Sequence, residues 1–376
     1  MLNTGRQIKV VIVISNVDKA VGFEWLVSKI DPAKFSLSFI LLNDNPSYLA
    51  EFLKGKGVPC FELPFNGKRD IPILLIKVLN LLRRIKPDVI HTHLFGANLI
   101  GQTAGRILRI PKRIYTRHSS NENRRYHGKQ RWDHYTNRLC TDILAISDNV
   151  KTVLIREERV SPEKIALIHH GFDLDKFVDV TDEDIRRLAA KYNSGKKRPV
   201  IGVISRYSHW KGIQFIVPAF ERLLGDYPDA LLILANAGRA DYSDEIDQML
   251  SGLPNENVCE IEFEPDVFSL YRLFDVYVHV PIDAELEAFG QTYVEALAAG
   301  IPSVFTLSGV APEFIKNRRN AMVVDFQSSD QIYEAILELL KDTGLRRNLI
   351  DHGKADVRQK FSLETMIEKL EKLYAR

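Results

Sequence analysis

Two glutamates in ELEAFGQTYVEALAAGIPSVFT, residues 285–306, form the most specific chemical pattern in the chain. Glu287 and Glu295 are separated by seven residues, among them Phe289 and Gly290. The spacing predicts a helix from about Gly290 to Ala299 that stops at Gly300 and Pro302. A glycine at a helix start lets backbone N–H groups face an anion, a common way to hold a diphosphate. Glu287 then precedes the helix and Glu295 lies within it, so one carboxylate can accept hydrogen bonds from a sugar and the other from a ribose. Two glutamates at this spacing alone would also suit an amphipathic helix with solvated acids. The glycine and the closing AAGIP favour a site.

A second pattern, ISRYSHWKG at residues 204–212, follows the strand-like RPVIGV and places Arg206 and Lys211 five apart in a strand-to-helix loop. Two cations converging on a diphosphate stabilise the charge that develops on a departing nucleotide. The plainer alternative is two solvated basic residues. Two further patterns invite a metal. His91 and His93 sit in PDVIHTHLFGAN; their side chains are expected to point to opposite faces of a strand and so not to share an ion. Asp173-Leu-Asp175 has an acidic D-x-D form but lies in HHGFDLDKF, and no metal is expected there either. Cys60, Cys140 and Cys259 are odd in number, far apart and free of C-x-x-C spacing, which argues against a disulfide framework or a zinc site and fits a reducing, cytoplasmic setting.

The elements that must carry these residues alternate. KVVIVIS, FSLSFILL, PDVIHTH, RIYTR and DILAIS read as strands separated by helical patterns, which implies a parallel sheet built from βαβ units. The pattern restarts after a polar stretch with RPVIGVIS, ALLILANAG, NVCEIEF, DVYVHVP and PSVFT. Two α/β domains are therefore expected: residues 1–175, a linker at 176–198, and residues 199–358. Open parallel sheets bind ligands at the carboxyl ends of their strands. The dinucleotide fingerprint G-x-G-x-x-G follows none of the strands, which argues against a dehydrogenase.

Composition agrees with this picture. The chain has 376 residues, 45% hydrophobic and 27% charged, ordinary values that exclude collagen, disorder and a coiled coil. The net charge of +2 hides an asymmetry: residues 1–170 carry 27 basic and 15 acidic side chains, whereas residues 171–376 carry 24 and 34. The first apolar run, Val10–Ile14, is too short for a signal-peptide core. IPILLIKVLNLL, residues 71–82, is broken by Lys77 and Asn80 and reads as an amphipathic helix started by Pro72, well short of the roughly 18–20 apolar residues that span a bilayer.

Taken together, these residues resemble the retaining nucleotide-sugar glycosyltransferases of glycosyltransferase family 4, strongest from Arg206 to Thr306. The resemblance implies the GT-B fold, two doubly wound Rossmann-like α/β domains facing a central cleft, with a terminal helix at about 360–376 packing back on the first domain. It implies that Glu287 contacts the donor sugar, Glu295 the ribose, and Arg206 and Lys211 the diphosphate, while the peptide from Phe289 through Gly290 and Gln291 to Thr292 brackets the sugar and distal phosphate. KAVGFEWL, residues 19–26, resembles the family's glycine-rich loop, with Val21 replacing the first of two glycines, so only Gly22 carries over. RIYTRHSS, residues 113–120, places His118 where the family often has a histidine near the reaction centre. Transfer with retention, no required metal or other cofactor, and front-side attack aided by the leaving phosphate follow from the same resemblance.

Gly101–Cys140 contains ten Lys and Arg and two acids, interleaved with Tyr115, Tyr126, Trp132 and Tyr135. A nucleic-acid surface is one reading. A surface for a lipid-linked or glycan acceptor, or for an anionic membrane, is favoured because the segment follows a loop expected at the cleft; a solvated face remains open. The expected partners are thus a UDP-sugar or GDP-sugar donor and a glycan or lipid-linked acceptor, with peripheral membrane contact and no nucleic acid. A nucleotide-sugar epimerase of the same fold is the enzymatic alternative.

Overall fold

The structure is a computed structural model that describes residues 6–120, 130–238 and 240–376. It divides into two compact units, Met1–Phe172 with Leu363–Arg376, and Asp173–Ser362.

The first unit holds seven strands: β1 (Ile8–Ser15), β2 (Phe35–Asn43), β3 (Cys60–Pro64), β4 (Val89–His93), β5 (Lys112–Arg117), β6 (Asp142–Ala145) and β7 (Ile165–Leu167). They pair in parallel in the order β3-β2-β1-β4-β5-β6-β7. Val10–Ile14 are at most 1% exposed, because helices cover both faces of a parallel sheet and its central strands read as continuous apolar runs. The helix Ile71–Ile85 starts with Pro72 in its first turn and buries Leu74, Val78 and Leu82 against that sheet. No helix among the described residues is long and apolar enough to cross a membrane. The helix Leu363–Ala375 returns to this unit, where Tyr374 is fully buried and Glu371 accepts the Asp31 backbone N–H at 2.9 Å.

The second unit holds β8 (Val200–Ile204), β9 (Leu231–Ala235), β10 (Val258–Ile261), β11 (Val276–His279), β12 (Ser303–Phe305) and β13 (Met322–Val323), parallel in the order β10-β9-β8-β11-β12-β13. In each sheet the order reverses beside the first strand, between β1 and β4 and between β8 and β11, which opens a crevice at the carboxyl ends there.

The expected linker at 176–198 is structured. Asp182–Tyr192 is a helix whose N-cap Thr181 accepts from the Asp184 backbone N–H at 3.1 Å. Leu188 is buried, Arg187 pairs with Asp266 at 2.7 Å and Tyr192 donates to Glu264 at 2.6 Å, so the segment belongs to the second unit. Its polar composition is that of a helix with one narrow apolar stripe. The division between units falls earlier, between Phe172 and Asp173.

Candidate functional site

In the second unit the sequence patterns converge on the reversal between β8 and β11. The chain leaves β8 at Ile204, turns through Arg206 and a 3-10 turn at His209–Lys211, and enters the helix Ile213–Asp226. Trp210 is buried in that turn and the Lys211 ammonium lies 4.1 Å from its ring centroid, a cation–π contact that fixes the lysine stem. From there Lys211 Nζ reaches Glu287 Oε2 at 2.8 Å, with both side chains largely buried. His279, the last residue of β11, stands 3.7 Å from the same oxygen through Nε2. Burial alone would raise the Glu287 carboxyl, but the Lys211 cation and His279 outweigh it and hold it down at about 2. Arg206 is exposed and makes no ion pair among the described residues.

Glu287 is placed by a loop that runs back against residues 306–310. Its backbone N–H donates to Ser308 Oγ at 3.4 Å, and Ser308 Oγ donates to the Asp283 carbonyl at 2.7 Å. The Phe289 carbonyl accepts the Val310 N–H at 3.0 Å. Gly290 then caps the helix Gln291–Ala299 in a left-handed conformation, φ 81°, which leaves the first N–H groups of a nine-residue helix open to an anion. Glu295 lies one turn in. Its Oε2 accepts from the Tyr271 hydroxyl at 2.9 Å, and burial pushes its carboxyl up to about 7 against that hydrogen bond.

The side chains of the bracketing peptide do not all face outward. Phe289 is 3% exposed and packs edge-on to Phe361 at 5.8 Å, and the Thr292 hydroxyl is buried beside the Tyr277 phenol. The exposed Gln291 and the first backbone N–H groups of the helix remain for a ligand. His279, Tyr271 and Ser308 belong to no local motif in the sequence, and their one signal is a histidine ending the buried strand in DVYVHVP.

In the first unit a cleft of about 1130 Å³ opens at the carboxyl ends of β1, β2, β4 and β5. Its walls include Asn16, Asn43, Asn66 and Asn98, amides that can both donate to and accept from hydroxyl groups, and His118. His118 Nε2 lies 3.0 Å from His93 Nδ1, and its ring stacks on His170 at 5.8 Å and 12°. Gly22 is exposed in the first turn of the helix Val21–Lys29, where a loop was expected, with open space around it.

His91 and His93 share one face of the strand, contrary to the expectation that they point to opposite faces. Residues two apart on a strand point the same way, and the two rings lie 4.2 Å apart between centroids. Both nitrogens of His91 are already engaged, Nδ1 with the Tyr374 hydroxyl and Nε2 with Thr116 Oγ1, each at 2.8 Å. No group of three or more potential metal ligands occurs among the described residues. Asp175 of the D-x-D pattern pairs with Arg358 at 2.7 Å.

The basic stretch also turns partly inward. Arg117 is clamped by Asp133 at 2.9 Å and Glu158 at 2.6 Å, Arg113 donates to the Leu139 and Ile110 carbonyls, and Lys112 lies 4.0 Å from Asp142. Arg106, Arg109, Arg131 and Arg138 are exposed. Tyr126 and the basic residues at 124, 125 and 129 lie outside the described residues.

Known proteins align with both units. Residues 184–356 match the family described as Glycosyl transferases group 1, and residues 26–176 match Glycosyltransferase Family 4. The chain is 28% identical over 322 residues to the capsular polysaccharide biosynthesis glycosyltransferase CapM of Staphylococcus aureus, covering 82% of this chain and 83% of that one. It is 21% identical over 363 residues to the Escherichia coli UDP-Gal:alpha-D-GlcNAc-diphosphoundecaprenol alpha-1,3-galactosyltransferase, covering 91% and 89%. Among solved structures, Anabaena HepE in complex with UDP and glucose superposes with a TM-score of 0.82 at 21% identity, over 97% of this chain and 99% of that one.

Proposed function

The chain belongs to the group 1 glycosyltransferases of family 4, and on that premise we propose that it is a retaining hexosyltransferase moving a sugar from a nucleoside-diphosphate sugar to a glycan or lipid-linked acceptor. The fold is GT-B, built from two Rossmann-like units. The observation that carries the proposal is the cluster at the β8–β11 reversal: Lys211, Glu287 and His279 beside a helix N-terminus capped by Gly290, with Arg206 exposed on the same loop as Lys211.

Each group has a role that its chemistry supports. The helix N-terminus and Arg206 bind the diphosphate. Lys211 has three N–H donors and spends one on Glu287, so it can hold the carboxylate and the distal phosphate together. Glu287, ionised and fixed, orients the sugar hydroxyls, and Glu295 accepts from the ribose. As the glycosidic bond to phosphate breaks, the cations stabilise the leaving diphosphate, which takes the acceptor's proton while attack comes from the same face. No step needs a metal. His118 and the amide-lined cleft of the first unit receive the acceptor. A UDP-sugar is the preferred donor and a GDP-sugar the second choice; the UDP-galactose named for the E. coli relative and the UDP of the HepE complex support that order. CapM's role in capsular polysaccharide synthesis supports a cell-surface polysaccharide or glycolipid product, made by a cytoplasmic enzyme touching the inner face of a membrane through its exposed arginines.

Incubation of the protein with radiolabelled UDP- and GDP-sugars and a membrane extract tests the proposal. Label transferred to lipid or glycan supports it; an epimerised sugar without transfer, or no turnover with any donor, overturns it.

A further inference from the structure

The buried histidines of the first unit carry an inference that rests on the transferase reading and concerns how His118 meets its substrate. His93 is 7% exposed and makes one hydrogen bond, from Nδ1 to His118 Nε2 at 3.0 Å. Its other nitrogen, Nε2, is buried without a hydrogen-bond partner. The surroundings of that ring are aromatic: Phe23 meets it edge-on at 4.8 Å and His91 lies 4.2 Å away. Burial pushes His93 far below the ordinary imidazole range and His118 down to about 3, so at neutral pH each ring carries one N–H and one bare nitrogen.

Two arrangements satisfy the contact. If His118 Nε2 donates, His93 must carry its proton on Nε2, where an N–H is buried without an acceptor. If His93 Nδ1 donates, the nitrogen left over at His93 Nε2 is a bare lone pair. Orphaned buried N–H groups are rarer than under-used acceptors, so the second arrangement is favoured. The proton of His118 then resides on Nδ1, on a ring that lines the cleft and is held in plane by His170 stacked at 12°.

We propose that His93 is a positioning residue that locks His118 in the Nδ1–H tautomer, so that His118 approaches the substrate as a hydrogen-bond donor to a sugar oxygen and does not act as a proton acceptor. The partner is specified by position as well as type, because the His-x-His spacing at the end of β4 puts both rings on one face of the sheet.

Nitrogen NMR of the full chain with labelled histidine reads the tautomer directly. The expected result at neutral pH is a protonated Nδ1 and a bare Nε2 for His118; a protonated Nε2 overturns the proposal. Kinetics of two variants add an independent readout. His93→Asn keeps an N–H near the same place and should hold kcat within about threefold, whereas His93→Leu should lower kcat by about tenfold or more with the donor KM little changed. Equal kcat in His93→Leu and the unaltered enzyme overturns the proposal. Should His93→Leu fail to fold, the tautomer of the unaltered protein still decides. A chain that transfers no sugar but shows the Nδ1–H tautomer sinks the transferase reading and leaves the assignment at His118 standing.

Discussion

Lys211 Nζ rests 2.8 Å from Glu287 Oε2, so the cation assigned to the diphosphate and the carboxylate assigned to the sugar form one buried ion pair. Stability and turnover are therefore linked at this point. Lys211→Met leaves a buried carboxylate without its cation, and a loss of about 3–5 kcal/mol is expected. Lys211→Met combined with Glu287→Gln should recover most of the melting temperature and none of the transfer. The carboxyl is held at about 2 against an ordinary 4.5, so its contribution is complete above pH 4.5 and disappears as the pH falls toward 2. Thermal unfolding of the unaltered protein and the two variants at pH 7 and pH 3 checks both statements. An unshifted melting temperature for Lys211→Met at pH 7 would show that the pair does not hold the fold.

Arg206 differs from its loop neighbour Lys211. It is exposed and has no ion-pair partner among the described residues, so Arg206→Ala should change stability by no more than about 0.5 kcal/mol. If it stabilises the departing diphosphate, turnover should fall by about a hundredfold. Steady-state transfer rates beside melting curves separate the two arginine roles, ligand contact and fold support.

The central strands were legible because burial on both faces makes them uninterrupted apolar runs, as in KVVIVIS and ALLILANAG. Among the edge strands β10 was legible in NVCEIEF, whereas β3, β7 and β13, two to five residues long and partly exposed, were not, since an edge position demands no continuous run. The helix Gln291–Ala299 was legible from its two bounding glycines, whose left-handed conformations cap both ends. The helix Asp182–Tyr192 was hidden by its charges, since one buried leucine leaves little apolar period to detect. At the site, Arg206, Lys211, Glu287 and Glu295 were visible as local patterns. His279 and Tyr271 reach the two glutamates from β11 and from the short helix Val267–Tyr271, and such pairings arise only once the sheet order is known.

Glu295 makes a prediction of opposite sign to Glu287. Burial raises its carboxyl to about 7, with the Tyr271 hydroxyl opposing, so the folded protein binds this proton more tightly than the unfolded chain, whose carboxyl ionises near 4.5. Its effect on stability is thus absent below pH 4.5 and grows unfavourable as the pH rises to 7. Glu295→Gln should leave the melting temperature unchanged at pH 4 and raise stability by about 2–3 kcal/mol at pH 8. Accepting hydrogen bonds from ribose with both oxygens requires the ionised form. The donor KM should accordingly fall as pH rises through 7, and Tyr271→Phe, which removes the opposing hydrogen bond, should move that inflection upward. A donor KM that is flat from pH 6 to pH 8 counts against Glu295 as the ribose contact.

Two glycines separate ligand contact from packing. Gly309 has φ 61°, and a Cβ there would stand 2.7 Å from the Phe289 carbonyl oxygen and 3.0 Å from the Glu287 side chain. Gly309→Ala should cost about 1–3 kcal/mol in backbone strain and move Glu287, so melting temperature and turnover fall together. Gly22 has open space in the first turn of its helix, and Gly22→Ala should leave stability unchanged or raise it by up to about 1 kcal/mol. If a ligand phosphate approaches that backbone, the added methyl group raises the donor KM several-fold with no loss of fold. A Gly22→Ala enzyme with the same donor KM removes Gly22 from the binding site, and the first-turn N–H groups of its helix with it.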